Sequence, residues 1–230
     1  VYYPWTITSY FQIICDSKYF FSAEVAFVKK DVYANKGTIQ IIRQLVTKDL
    51  GEEQTQAVFN EARKHFSELC ERYEEGLSKQ EKSHTRGIFK GNALYNALKP
   101  VAGEERALAY IIEGYKLSAS QMGRQLDMLI SLPGMTRFFI WMFGYMGGKM
   151  FGDTAGFRQR CYDKKPGETR FDILECPYQK YCTLCGNPEL THIFCDNDIY
   201  MYGNLKKVRF TRTQTLGTGG ECCDFFLARR

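Results

Sequence analysis

The chain has 230 residues, 44% of them apolar, and a net charge of +5. That length and apolar share suit one large domain and exclude a wholly disordered chain. Basic residues are scattered apart from Lys206-Lys207 and Arg229-Arg230, and without an interleaved basic and aromatic face no nucleic-acid partner is expected. The fifteen tyrosines and seventeen phenylalanines read as core rather than as stacking platforms. Nine cysteines are an odd number. No signal-peptide pattern opens the sequence, so reduced thiols and a cytoplasmic location are expected rather than a disulfide scaffold. The sequence begins at Val1, which leaves a preceding segment open.

Residues 1–30 are rich in aromatics and read as one or two helices packed on the main body. Residues 36–50 repeat Ile39, Ile42, Leu45 and Val46 at helical spacing. The clearest amphipathic stretch is 52–75, where Ala57, Val58, Ala62, Phe66 and Leu69 share a face and Gly76 marks the stop. A polar loop is expected over 77–87. Helices are then expected over 88–98, ending before Pro100, over 103–114, and over 119–130 with Ser118 as N-cap. Pro133 opens the most apolar piece, which runs to Phe151. Arg137 and Lys149 bracket a run shorter than the ~20 apolar residues a bilayer requires, so a buried core helix or a homodimer contact is expected there and no membrane span.

Beyond Gly152 the texture changes. Residues 156–163 and 169–175 read as strands around a Lys-Lys-Pro-Gly turn. Residues 177–185 and 188–202 read as helices, each opening on a proline suited to the first turn. Alternation of Val208 and Phe210 with Arg209 and Thr211 predicts a half-buried strand over 207–216. A glycine turn at 217–220 and a returning strand at 221–227 follow. The expected fold is a single α+β domain. Its mainly helical part spans 1–152, and a small antiparallel sheet with two inserted helices spans 153–230 and carries the site.

Residues 171–225 hold the densest collection of reactive side chains. Cys182-x-x-Cys185 and His192-x-x-Cys195 could close a tetrahedral zinc site, although ordinary free thiols are the favoured reading and no cofactor is expected. Cys195 and Asp198 lie three apart on a predicted helix and share a face. Cys176 ends one predicted strand and Cys223 sits on the last hairpin, so both could reach the same region. A cysteine nucleophile beside a carboxylate would result. Buried, inert cysteine is the alternative, equally open for Cys176 and Cys223. His192, one turn before Cys195, is a candidate base. Arg209 and Arg212 point to opposite faces by alternation, so at most one can hold a substrate carboxylate.

Cys176-Pro177, then Pro188-Glu189-Leu190 leading to Cys195-x-x-Asp198, then Arg209-Phe210-x-Arg212-Thr213, and finally Gly220 with Cys223-Asp224-Phe225 form one ordered set. This set resembles the C-terminal half of the L-2-amino-thiazoline-4-carboxylic acid hydrolase family. The resemblance implies a hydrolase that adds water to a small cyclic amidine-like substrate, with Cys195, Asp198, His192, Cys176 and Cys223 as candidate catalytic residues. Arg209 or Arg212 would bind the substrate. A non-catalytic small-molecule-binding or sensory module on the same fold is the alternative, and a metal- or redox-responsive thiol protein is a third.

Overall fold

The computed structural model describes residues 31–163 and 165–230. The expected helices within 1–30 lie outside the described residues. Helix α1, Gly37–Tyr73, buries Ile39, Ile42 and Val46 in its first half and Val58, Phe59 and Ala62 in its second. Between the halves Gly51 has φ 80° and ψ 167°, a conformation open to glycine and strained for other residues. The two expected helices therefore run end to end across a break.

Helix α2, Lys79–Ala102, starts inside the stretch expected to be a polar loop. The reason is local. The Ser78 hydroxyl accepts from the Glu81 N–H at 3.1 Å, and the Glu81 carboxylate accepts from the Ser78 N–H at 2.8 Å. This reciprocal capping box satisfies two free backbone donors and starts the helix early. Pro100 falls in its last turn. Helix α3, Glu104–Ile130, is continuous where two helices were expected. Ser118 is not a cap; its hydroxyl accepts a 2.8 Å bond from Thr38 on α1.

Helix α4, Met135–Met150, buries Phe139 and Ile140 and leaves Trp141 and Tyr145 exposed. Among the described residues no helix is long and apolar enough to cross a membrane.

The second part holds β1 (Arg158–Cys161), β2 (Glu168–Glu175), α5 (Pro177–Leu184), α6 (Leu190–Tyr202), β3 (Val208–Thr211) and β4 (Cys223–Arg229). The strands form one antiparallel sheet in the order β1-β2-β4-β3. The fold is α+β, helices first and then a small sheet, with α5 and α6 inserted between the strand pairs.

Phe171 lies opposite Phe225 and Ile173 opposite Cys223. These positions share the inner face, where Phe171 and Phe225 stack at 5.0 Å and Phe143 of α4 covers Phe171 at 6.0 Å. Asp172 and Asp224 are paired on the other face. Strand β3 is shorter than expected because the N–H groups of Thr213 and Gln214 both donate to the Asp224 carboxylate at 2.8 Å. That diverts the ladder, and a wider arch with a 3-10 turn at Leu216–Thr218 replaces a tight glycine hairpin.

Helix α6 is held against α3 by a close backbone approach. A β-carbon at Gly123 would stand 2.6 Å from the Met201 carbonyl oxygen. Backbone cannot swing aside as a side-chain tip can. Gly123→Ala is expected to destabilise the fold by about 1–3 kcal/mol, seen as a lower urea midpoint with an unchanged slope; an unchanged midpoint would contradict this packing.

Candidate functional site

Helix α6 presents Cys195 and Asp198 one turn apart. Arg212 follows β3, and its side chain is only 3% exposed. Its Nη1 donates to Asp198 Oδ2 at 2.8 Å, while the Asp198 side chain keeps 31% exposure. The guanidinium carbon also lies 5.6 Å from the centre of the Phe225 ring. Cys223 opens β4 on the inner face, and its Sγ accepts the Leu216 N–H at 3.3 Å. The next residue, Gly217, stands over Cys195: a β-carbon there would be 3.0 Å from Cys195 Sγ. Two consecutive residues of the arch therefore touch the two sulfurs, and no side chain fits between Gly217 and α6.

The electrostatics separate these thiols. The Cys223 thiol donates to Cys195, and this is the main reason that the Cys195 pKa falls to about 7. Desolvation opposes the shift, and the Arg212 charge and the Thr215 hydroxyl reinforce it. Cys223 itself is pushed up, first by that hydrogen bond to Cys195 and then by burial, so it stays a thiol. Asp198 is raised to about 6 by desolvation, with Arg212 pulling the other way. Burial lifts Cys176 to about 12, despite help from the Gln179 and Tyr178 N–H groups at the start of α5. A thiol lowered to about 7 and a carboxyl raised to about 6 thus share the charge of one enclosed arginine, beside a second thiol that stays protonated.

Of the residues singled out from sequence, Cys195, Asp198, Cys223 and Arg212 are brought together, and Cys176 is close enough to Cys195 for their charges to interact. Arg209 is not part of this group: it is exposed on the other face, over the Phe226 ring at 5.5 Å. Alternation separates it from Arg212, whose inward turn comes after the strand ends. His192 is half-buried on the same helix, but among the described residues no hydrogen bond joins its ring to Cys195 or Asp198. Asp224 clamps the arch, with its pKa lowered by the Thr213 and Gln214 donors against the cost of burial.

Cys182 and Cys185 turn into the helical core, where the Asn92 amide donates to Cys182 Sγ at 3.6 Å. Among the described residues no group of three or more His, Cys, Asp or Glu side chains gathers around a point where a metal ion could sit.

Thr215 escaped the sequence reading. It is buried, its hydroxyl meets that of Thr218 at 3.0 Å, and it also supports the Cys195 thiolate. Its only signal was a threonine-rich run ahead of the glycines. Tyr178 and Tyr202, whose hydroxyls are kept protonated by burial, feel the charge of Asp198 and border the cluster. A separate cleft of about 540 Å³ between α4 and the β1–β2 hairpin, lined by Trp141, Tyr145, Gln159 and Thr169 among others, shares no residue with the cluster.

Fold and site together define an α+β protein with the Cys195 thiol one helical turn from the Asp198–Arg212 ion pair. The model of the L-2-amino-thiazoline-4-carboxylic acid hydrolase family matches residues 81–227, well over half of the sequence, and the chain belongs to that family. No curated protein and no solved structure matches it. The matched region begins in α2 and ends in β4, so it contains every member of the cluster.

Proposed function

We propose that this protein is a hydrolase of the L-2-amino-thiazoline-4-carboxylate type, adding water to a small cyclic amidine bearing a carboxylate. The observation that carries the reading is the family match over residues 81–227, which contains Cys195 one helical turn from the Asp198–Arg212 ion pair, and the lowering of Cys195 to about 7 agrees with it. A thiolate populated at neutral pH is the nucleophile that an electrophilic amidine carbon calls for.

Cys195 Sγ adds to ring carbon C2. Asp198, raised to about 6, supplies the proton taken up by the ring atom that leaves as a C–N or C–S bond breaks. Water then attacks the same carbon, expels Sγ as thiolate and returns a proton to Asp198. The net change is the addition of one water. Arg212 spends one Nη1–H on Asp198, and the rest of its planar fork suits the substrate carboxylate. Cys223 remains the thiol donor that holds the resting thiolate.

The test is mass spectrometry of L-2-amino-thiazoline-4-carboxylate incubated with the reduced protein. A product heavier by one water supports the hydrolase reading. Tight binding with no such product would replace it with the binding-module reading.

A further inference from the structure

The cleft between α4 and the β1–β2 hairpin takes no part in the thiol chemistry. It exists because helix and hairpin touch at one point and then part. A β-carbon at Gly144 would run into Thr169 Oγ1, whereas one at Gly148, a turn further on, would meet nothing within 4 Å among the described residues. The space that opens is about 540 Å³, within the range of roughly 300–1,000 Å³ that small-molecule sites occupy.

The helix wall is aromatic. Trp141 and Tyr145, one turn apart on α4, have ring centres 5.6 Å apart and planes only 5° from parallel. They are 61% and 45% exposed, so each leaves ring surface uncovered, and both offer it in one orientation. The hairpin wall carries positioned charge. The Arg170 guanidinium carbon lies 4.3 Å from the centre of the Tyr162 ring, and the Tyr162 hydroxyl donates to Oδ2 of the buried Asp172 at 2.6 Å. These contacts hold Arg170 by its flat face and leave the edge of its N–H fork available. Arg137, from the first turn of α4, is the other arginine of the lining. Lys165 and Glu168 also line the cleft but are paired with each other at 3.7 Å. Asp172 has its ion pair with Arg160, at 3.9 Å. Among the described residues no carboxylate is within ion-pair distance of Arg137 or Arg170, and these two are the uncompensated charges of the cleft.

We propose that this cleft binds a small planar aromatic acid, its ring against Trp141 and Tyr145 and its carboxylate held by Arg170 and Arg137. A flat ring stacks on exposed aromatic faces and buries area that water now covers. A carboxylate matches the planar N–H fork of arginine in a two-pronged contact. Each half of the ligand answers one wall: a neutral ring leaves the arginines unanswered, and an acid without a flat ring leaves the aromatic wall wet. The site stands apart from Cys195 and does not depend on the hydrolase reading.

Isothermal titration calorimetry of the full chain with 2-naphthoate tests this. The expected result is a single site. 2-Naphthamide keeps the rings and loses the charge, cyclohexanecarboxylate keeps the charge and loses the rings, and each should bind at least about tenfold more weakly. Trp141→Ala and Arg170→Gln should each weaken 2-naphthoate by about tenfold. Gly148→Phe should abolish binding by filling the open space, and the helix accepts it because glycine is the poorer helix former; circular dichroism matched to the wild type verifies the fold. Cys195→Ala should bind as the wild type does, which separates the cleft from the thiol cluster. No heat from 2-naphthoate at millimolar concentration, equal affinity for the three compounds, binding that survives Gly148→Phe, or binding lost in Cys195→Ala overturns the proposal. Binding is read without turnover, so absence of hydrolysis would sink the proposed activity and leave this result standing.

Discussion

Replacing Cys195 with alanine is expected to lower turnover of L-2-amino-thiazoline-4-carboxylate by at least about a thousandfold, since removing the nucleophile removes the covalent route. Far-ultraviolet circular dichroism should be unchanged, because alanine fits under Gly217 with room to spare. The pH dependence is the sharper readout. With its pKa at about 7, Cys195 should alkylate with iodoacetamide at a rate that rises through neutrality, and the acid limb of kcat/KM should follow the same curve. Cys223→Ala deletes the hydrogen bond that does most to stabilise the thiolate, while the desolvation opposing ionisation remains. The midpoint must then move up, and less thiolate is present at pH 7. An alkylation curve unmoved by Cys223→Ala would remove Cys223 from the role of donor, and full turnover by Cys195→Ala would remove Cys195 from that of nucleophile.

The Asp198–Arg212 ion pair leads to an unequal pair of stability losses. Arg212 is almost fully enclosed and cannot shed its charge. Asp198 is partly exposed, already raised to about 6, and can be neutralised by taking a proton. Asp198→Leu strands the cation and is expected to cost about 3 kcal/mol or more. Arg212→Met leaves a carboxyl that protonates, so its cost at pH 6 should be clearly smaller. Urea unfolding of both variants checks this, and equal losses would contradict the assigned asymmetry.

The pH slope has a definite sign. The folded chain holds the Asp198 proton more tightly than the unfolded chain, whose carboxyl has its ordinary pKa near 4. The stability this group contributes is complete below that ordinary value and is lost as pH rises through about 6. The wild type should therefore lose stability relative to Asp198→Asn between about pH 4 and 6. A gap that stays constant across that window would argue against a raised Asp198.

Much of the fold was legible because periodicity is a local property. The break at Gly51, the order of helices before strands, and the prolines that open α5 and precede α6 can all be read from neighbours a few residues apart. The early start of α2 lies in a stretch whose polar composition reads as loop, although the Ser78-x-x-Glu81 cap signal is local and present in the sequence. Ser118 is the opposite case: a residue suited to capping is used across helices, in a bond to Thr38 eighty positions away.

The site divides along the same line. Cys195 and Asp198 share one helix, and 3.6-residue periodicity alone puts them on one face, so sequence determined that pair. It also determined that Arg209 and Arg212 diverge. Which arginine turns inward was decided by tertiary structure, because β3 ends when the Asp224 carboxylate takes the next N–H groups and frees Arg212 to reach Asp198. Only the packed arch brings Leu216, Gly217 and Thr215 over the two sulfurs. The charge state of each thiol was likewise decided there. A cysteine's pKa depends on donors and burial contributed by elements distant in the chain, and neither is encoded by the residues on either side of it.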